Sequence, residues 1–169
     1  MGYNISIGNA VLEYEREDLL MRIVVESAEH DDAPNHCEFT KKGNYRSPGY
    51  SAWADFCREA GREIVLLFYG NYPGGPNRGT YNEDEQFHRE TAFLCHHPGC
   101  EPICVKDLEL IRAARIRREA TNGGKPPGFW ECSKEVDNGT DATLARLLWL
   151  EFWFDWALRN CERPAIANS

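Results

Sequence analysis

A group of cationic, hydroxyl and aromatic side chains precedes a predicted helix start. Its members are Lys42, Tyr45, Arg46, Ser47, Tyr50, Ser51 and Trp53. Ser47 followed by Pro48 has the form of an N-cap with proline at the first helical position, and Ser51 is the alternative cap. Free N–H groups, the helix dipole and adjacent cations favour an anion, and aromatic rings stack on a bound base. We therefore predict a site for a small phosphorylated ligand here; a capped helix with solvated lysines is the alternative.

Two arginines in a later predicted helix offer a second phosphate-binding face. Arg112 and Arg115 lie about one turn apart, and Arg118 extends the same face. Guanidinium groups bind phosphates through paired, charge-assisted hydrogen bonds. Arginines at this spacing more often form a solvated helix face. We assign Arg112 and Arg115 to the predicted ligand site, with the solvated face as the alternative.

A segment rich in cysteine and histidine has the residue types of a metal site. Cys95, His97, Cys100 and Cys104 are close together in the sequence, and thiolate and imidazole are the usual ligands of zinc. Their spacing is not that of a standard zinc knuckle. Free cysteines buried in a turn are the alternative. We predict that the protein has no cofactor. Zinc bound by these four residues is the alternative.

Two carboxylates stand one helical turn apart near the C-terminus. Glu151 and Asp155 have the spacing to share a magnesium ion, or for one of them to be an acid with a raised pKa. The alternative is that they pair with Arg146 or Arg159 along the same helix face. The sequence contains no Gly-x-Ser-x-Gly, His-Glu-x-x-His or dinucleotide-binding motif. The pattern therefore favours a binding protein over an enzyme.

Composition limits the classes of function. The chain has 169 residues, which suits a single domain over residues 1–169, and 27 acidic against 19 basic residues give a net charge of −8. This balance disfavours general nucleic-acid binding and anionic membrane surfaces. No segment has the roughly 20 apolar residues of a membrane span, and none has the pattern of a secretory signal. Seven cysteines without such a signal predict free thiols and a cytoplasmic location.

Hydrophobic patterning predicts the elements that position these residues. Residues 3–25 alternate weakly and include a β-branched run, which indicates two or three antiparallel strands. Residues 51–60, 106–120 and 144–158 are typical of helices. The apolar run 64–69 fits either a strand or a helix. We predict an α+β fold in which a small N-terminal antiparallel sheet packs on three or more helices and the aromatic C-terminal helix is central.

The C-terminal helix is the most apolar segment of the chain. It carries Trp149, Trp153 and Trp156. A helix that is apolar nearly all round must be buried nearly all round, either at the centre of the fold or between identical subunits. We predict that Thr140 or Asp141 caps it, that it ends at Arg163-Pro164, and that the three tryptophans contribute to a homo-oligomer interface.

Several segments of the sequence resemble a family of small proteins from tailed bacteriophages and prophages. The matching segments are Tyr3-Asn-Ile-Ser-Ile-Gly-Asn9, Arg46-Ser-Pro-Gly-Tyr-Ser-Ala-Trp-Ala-Asp-Phe-Cys57, His97-Pro-Gly-Cys100, Trp149-Leu-Glu-Phe-Trp153 and Arg163-Pro-Ala-Ile166. The family has no established activity, so the resemblance transfers no catalytic residue. It implies a phage accessory protein in the host bacterial cytoplasm.

Three functions fit these features, in order of preference. The first is a non-enzymatic protein that sequesters a small phosphorylated, nucleotide-derived host signal in counter-defence, which needs residues 46–53 exposed at a pocket. The second is a metal-dependent phosphohydrolase, which needs Glu151 and Asp155 in an open cleft. The third is a protein-binding inhibitor of a host factor, which needs an exposed apolar or acidic patch.

Overall fold

The structure, a computed structural model, describes residues 4–14, 21–35, 42–69, 99–128 and 139–168. Within these ranges the chain forms five strands, β1 (Ile5–Tyr14), β2 (Met21–Val25), β3 (Tyr45–Arg46), β4 (Gly99–Pro102) and β5 (Pro164–Asn168). It also forms four helices, α1 (Tyr50–Ala60), α2 (Arg62–Tyr69), α3 (Val105–Thr121) and α4 (Ala142–Asn160). This is the α+β fold that the sequence predicts.

The strands form an antiparallel sheet in the order β2-β1-β5-β4, with β3 paired to the start of β1. Residues 10–14 of β1 pair with β2, and residues 5–9 pair with β5. The sheet is larger than the N-terminal segment predicts, because β4 and β5 extend it. Patterning misses both strands since their sequences contain a single β-branched residue, Ile166.

The strand β1 changes partner after Asn9, the last residue that pairs with β5. Beyond it the β1–β2 hairpin folds over the outer face of the sheet, where β2 comes within 8 Å (Cα–Cα) of β4 and β5. Gly8 permits this approach. A Cβ atom at this position would lie 3.3 Å from Val25 Cγ1 and 3.1 Å from Asn44 Nδ2, closer than most side chains allow.

The inner face of the sheet packs against α4. Ile5 and Ile7 of β1 and Ile166 of β5 are buried on this face. α4 also contacts α1 and α3, and it buries Leu147, Leu150, Trp153 and Phe154 completely. The predicted central position of the aromatic helix is therefore confirmed.

The helices α1 and α2 are separated by a single glycine. α1 buries Trp53, Phe56, Cys57 and Ala60, the four residues that recur at helical spacing. The ambiguous run 64–69 is helical, and residues 64–68 are all buried because α2 packs against both α1 and α3. Gly61 between the helices has φ of +120°, a conformation that few residues except glycine adopt.

The sequence predicts correctly where α4 begins but not where it ends. Asp141 is the cap, and its carboxylate accepts a hydrogen bond from Leu144 N–H at 3.0 Å. The predicted end at Arg163-Pro164 is wrong: the helix ends at Asn160, and Pro164 is already the first residue of β5. In the described ranges, neither α4 nor any other helix is long and apolar enough to span a membrane.

Candidate ligand-binding cleft

A cleft lies between the β1–β2 hairpin and the outer face of the sheet. Its volume is about 690 Å³, a size typical of small-molecule sites. Its described lining comprises Asn4, Ser6, Glu13, Arg22, Ile23, Val24, Val25, Cys100, Ala167 and Asn168. Residues from β1, β2, β4 and β5 therefore meet in one cleft, although β2 and β4 are at opposite ends of the strand order.

Small side chains form the floor of the cleft. Ser6 lies opposite Ala167 in the register of β1 and β5, and Ala167 lies opposite Cys100 in the register of β4 and β5. Successive side chains of a strand point to opposite faces. Because Ile5 and Ile7 fill the core, these three residues belong to the outer face. Their small size leaves space between the sheet and the hairpin.

The strand β2 forms the opposite wall. Ile23 is 55% exposed, and Val24 and Val25 are half-buried. Because side chains alternate along a strand, Ile23 and Val25 share one face of β2 and Val24 lies on the other, so the accessible apolar surface of this wall belongs mainly to Ile23. An apolar molecule that entered the cleft would remove this surface from water, and each square ångström of apolar surface buried contributes about 25 cal/mol.

Asn4 connects the cleft to two residues of the predicted ligand segment. Its Oδ1 atom accepts hydrogen bonds from the Tyr45 hydroxyl at 2.7 Å and the Ser47 hydroxyl at 2.9 Å. Tyr45 lies opposite Ser6 in the register of β1 and β3, so both belong to the outer face. The structure therefore brings Tyr45 and Ser47 to the rim of the cleft through Asn4.

Glu13 and Arg22 supply the charge of the described lining. They are directly opposite each other in the register of β1 and β2. Arg22 Nη2 lies 3.2 Å from Glu13 Oε2, and both side chains are more than half exposed. One positive and one negative group, paired with each other, leave this lining without net charge.

Cys100 places a thiol on the floor of the cleft. Burial and, second, the neighbouring Glu101 carboxylate raise the pKa of the Cys100 thiol above its ordinary value. The free thiol is therefore protonated at neutral pH, the form that is a poor nucleophile.

The predicted metal ligands are only partly within the described residues. Cys95 and His97 lie outside them. Cys100 is in β4, and Cys104 is the N-cap residue of α3. Among the described residues there is no group of three or more cysteine, histidine, aspartate or glutamate side chains that could hold a metal ion. Zinc at this segment stays a prediction.

Arg46 is a buried residue, which corrects its predicted position on the surface. It is 4% exposed. Its guanidinium donates hydrogen bonds to the Tyr45 carbonyl at 2.9 Å and the Gly43 carbonyl at 3.3 Å, and it lies 4.9 Å from the ring centroid of Trp149. Arg46 therefore ties the segment before α1 to the central helix instead of extending into the cleft.

The start of α1 also differs from the prediction. The N-cap residue is Gly49, which has no side chain to cap the helix. The prediction that Ser47 or Ser51 caps α1 is therefore wrong, because Ser47 instead bonds to Asn4. Tyr50 and Ser51 are exposed in the first turn of the helix and do not line the cleft.

Lys42 and Trp53 complete the predicted segment, and both contact other parts of the protein. Lys42 Nζ lies 3.7 Å from the Asp31 carboxylate. Trp53 is 4% exposed, and its ring lies 5.0 Å from that of Phe68 in α2. Trp53 is therefore a core residue and cannot stack on a ligand at the surface.

The two arginines predicted on α3 pair with the two carboxylates predicted on α4. Glu151 accepts hydrogen bonds from Arg112 Nε at 2.9 Å and Arg115 Nε at 2.6 Å. Burial alone would raise the pKa of Glu151, but the hydrogen bonds from Arg115 and Arg112 outweigh it and hold that pKa below its ordinary value. Asp155 pairs with Arg159, as one sequence alternative predicts, at 3.0 Å. The cluster joins α3 to α4.

The tryptophans of α4 belong mainly to the core of the chain. Trp149 is 3% exposed, and its Nε1 donates to the Gly43 carbonyl at 3.1 Å. Trp153 is fully buried. Their burial within one chain corrects their assignment as interface residues. Trp156 is half-buried, with its ring 5.1 Å from that of Trp153. The homo-oligomer stays a prediction, with Trp156 as its remaining candidate among the three.

The cleft itself was missed by sequence reasoning. Its signal is the small residues at alternate positions of two strands, Ser6 and Gly8 in β1 and Ala165 and Ala167 in β5. Such a row becomes meaningful only when the strands are known to be neighbours.

Comparison with protein-family models, with curated proteins and with solved structures finds no match to this chain.

Proposed function

We propose that this chain is a non-enzymatic binding protein that holds a small organic molecule of low net charge in the cleft. The observation that carries the proposal is the cleft of about 690 Å³ between hairpin and sheet. It combines an apolar wall, a floor of small side chains and a few polar groups. Small-molecule sites share this composition, because apolar surface supplies affinity and a few polar groups fix the orientation.

Low net charge distinguishes this proposal from the phosphorylated ligand predicted from the sequence. Arg46 is in the core, and Arg112 and Arg115 bind Glu151. Arg22 contributes a cation to the described lining, and Glu13 pairs with it. The cations on which the phosphate prediction depends are thus engaged by the protein itself. A nucleotide-derived ligand, and the counter-defence role that it implies, stays a prediction tested by the experiment below.

The proposal includes no reaction because the groups proposed for catalysis are neutralised. Arg112 and Arg115 occupy the oxygens of Glu151, and Arg159 binds Asp155. A carboxylate pair bound in this way is a poor ligand for magnesium, since the metal would have to displace three guanidinium groups. The phosphohydrolase alternative therefore loses its support.

The binding experiment uses phenylnaphthylamine, an uncharged fluorescent amine that brightens in apolar surroundings. We expect it to bind the wild-type protein and to bind Ala167→Trp at least about tenfold more weakly, since the indole would fill the floor of the cleft. Ala113→Trp, an exposed position of α3, is the matched control. Cys100→Phe, a second obstruction at the floor, provides an independent variant in case Ala167→Trp does not fold.

The same titration separates the ligand classes. Adenosine and adenosine monophosphate are added as competitors to the protein saturated with phenylnaphthylamine. Displacement by the nucleoside but not by the nucleotide supports a ligand of low charge. Displacement mainly by the nucleotide would restore the phosphorylated ligand. Equal probe binding by wild type, Ala167→Trp and Cys100→Phe would refute the cleft as the binding site.

A second candidate function is binding to another protein, and one observation favours it. Leu12 and Ile23 are 46% and 55% exposed and lie opposite each other in the register of β1 and β2. Contiguous exposed apolar surface marks protein-interaction sites, and this pair joins two exposed apolar side chains on one face of the hairpin. Leu12→Ser distinguishes the two functions, because Leu12 is outside the described cleft lining and its replacement should leave probe binding unchanged.

A further inference from the structure

We propose that Asn4 selects ligands that carry a carbonyl oxygen, by donating a hydrogen bond to that oxygen from its side-chain amide. Asn4 belongs to the described lining of the cleft. This inference rests on the proposed function, because it concerns the same cleft. It adds the chemical group that the ligand presents and the residue that recognises it.

The oxygen of the Asn4 amide is fully occupied by the protein. Its Oδ1 atom accepts one hydrogen bond from the Tyr45 hydroxyl at 2.7 Å and another from the Ser47 hydroxyl at 2.9 Å. A carbonyl oxygen has two lone pairs, so two such donors use its accepting capacity. They also fix the orientation of the planar amide, because turning the amide over would break both of these hydrogen bonds.

The nitrogen of the same amide keeps its donors for a ligand. Oδ1 and Nδ2 diverge from one carbon atom, so Nδ2 points away from the two hydroxyls that hold Oδ1. Among the described residues, no atom accepts a hydrogen bond from Asn4 Nδ2. An amide that the protein already orients loses little conformational entropy when it binds a ligand, so it is a pre-organised donor.

Ser6 adds a second polar group on the same side of the sheet. Ile5 is buried in the core, so the side chains of Asn4 and Ser6, its two neighbours in the chain, belong to the outer face. Ser6 also lines the cleft, and within the described ranges its hydroxyl has no hydrogen-bond partner. A hydroxyl can donate or accept, whereas Asn4 Nδ2 can only donate. Asn4 is therefore the residue that discriminates between ligands.

The free donors of Asn4 define which ligands the cleft favours. A ligand that covers Asn4 with a hydrocarbon group removes water from the amide N–H without replacing its hydrogen bond, and this loss costs free energy. A ligand that places a carbonyl oxygen there replaces the lost hydrogen bond. We therefore expect the cleft to prefer an uncharged ketone or amide to a hydrocarbon of the same shape.

The assay compares two uncharged probes that share one skeleton. Propionyl-dimethylaminonaphthalene carries a ketone, and its propyl analogue has a methylene group in place of the carbonyl. The measured quantity is the ratio of their dissociation constants, obtained by displacing phenylnaphthylamine from the site that Ala167→Trp obstructs. One neutral hydrogen bond corresponds to about three- to tenfold in affinity, and this is the loss of ketone preference that we expect for Asn4→Asp.

Asn4→Asp separates recognition from local structure. Its carboxylate can still accept the hydrogen bonds from Tyr45 and Ser47, but it has no N–H group to donate. Asn4→Leu removes the donor without adding a charge, and it should lower the ketone preference to a similar extent. The matched control is Ala113→Asp, which adds one negative charge at an exposed position of α3 outside the described lining. This control should keep the wild-type ratio.

Infrared spectroscopy supplies a readout that a purely structural role of Asn4 would not change. The stretching frequency of an isotopically labelled carbonyl group falls when its oxygen accepts a hydrogen bond. We expect the frequency of the bound ketone to be lower in wild type than in Asn4→Leu. A substitution that only loosened the fold would weaken both probes equally and leave this frequency unchanged.

Two outcomes overturn the proposal, and they are distinguishable. If wild type binds phenylnaphthylamine but Asn4→Asp keeps the wild-type ratio, or if Ser6→Ala lowers the ratio instead, the assignment to Asn4 fails and the binding cleft stands. If wild type binds no probe at the cleft, the proposed function fails and the inference fails with it.

Discussion

Replacing Arg46 with alanine should destabilise the protein by about 2–4 kcal/mol. The sequence suggests the opposite, since an arginine before a helix start is usually on the surface and contributes little. In the structure Arg46 is 4% exposed and bridges the segment before α1 and the central helix α4. Its loss should therefore weaken the contact between these two parts of the fold.

The magnitude comes from three contributions. The guanidinium donates hydrogen bonds to the carbonyls of Tyr45 and Gly43, and hydrogen bonds to charged groups contribute about 1.5–3 kcal/mol. Its position 4.9 Å from the Trp149 ring centroid adds a cation–π contact of about 1–2 kcal/mol in a desolvated setting. The loss of packing around the aliphatic stem acts in the same direction. Because these contributions share atoms, they do not add fully, which gives about 2–4 kcal/mol.

The assay is chemical denaturation followed by tryptophan fluorescence, together with a thermal melt. For a protein of this size, the expected loss corresponds to a decrease in Tm of roughly 4–16 °C. Arg46→Lys keeps the charge but not the planar fork, so it should fall between alanine and wild type. Arg58→Ala is the control, because Arg58 is exposed and its pair with Asp55 should contribute about 0.5 kcal/mol or less.

One result would refute this reasoning. If Arg46→Ala melts within about 1 °C of wild type while ligand binding is lost, Arg46 is a surface ligand residue and its buried position is incorrect.

Three other perturbations test separate contacts. Glu151→Gln should lower the free energy of unfolding by about 1.5–3 kcal/mol near neutral pH in urea titrations, because the two arginines lose the negative charge and one of the two oxygens that accept their hydrogen bonds. The pKa values of Glu151 and Asp141 are lowered in the folded protein. The stability that these two carboxylates contribute is therefore complete above their unfolded pKa values, near pH 4, and is lost as the pH falls through their folded pKa values. Thermal melts from roughly pH 5 to pH 2 should show this loss of stability, and the loss should be less steep for Glu151→Gln. Gly61→Ala should destabilise by at least about 1 kcal/mol, since its φ is +120° and its Cβ would lie 2.6 Å from Arg117 Nη2. Gly43→Ala, whose added Cβ would lie at an ordinary contact distance of 3.6 Å from the Ala28 carbonyl oxygen, should change stability by about 0.5 kcal/mol or less in the same denaturation assay.

The parts of the fold that follow from local patterning were predictable from the sequence. The spacing of Trp53, Phe56, Cys57 and Ala60 indicates a helix with one buried face, and this is how α1 packs. Asp141 has the right side chain and position to cap α4. The strands β4 and β5 were not predictable, because their short sequences carry no strong strand propensity and depend on pairing with β1 across most of the chain.

The candidate site was less predictable than the fold, because it depends on which distant residues meet. Arg112 and Arg115 were recognised as one face and Glu151 and Asp155 as another, but only the packing of α3 on α4 shows that the two faces neutralise each other. Tyr45 and Ser47 were predicted near a ligand, yet their link to the cleft runs through Asn4, a residue distant in sequence.

The central claim is that a small molecule of low net charge binds between the hairpin and the sheet. The most direct measurement is a titration of the isotopically labelled 19.3 kDa protein with phenylnaphthylamine, followed in amide NMR spectra. We expect the largest shifts at Ser6, Val24 and Ala167, with the helix α3 unaffected. Shifts centred on the first turn of α1, or absent from all three cleft residues, would contradict it.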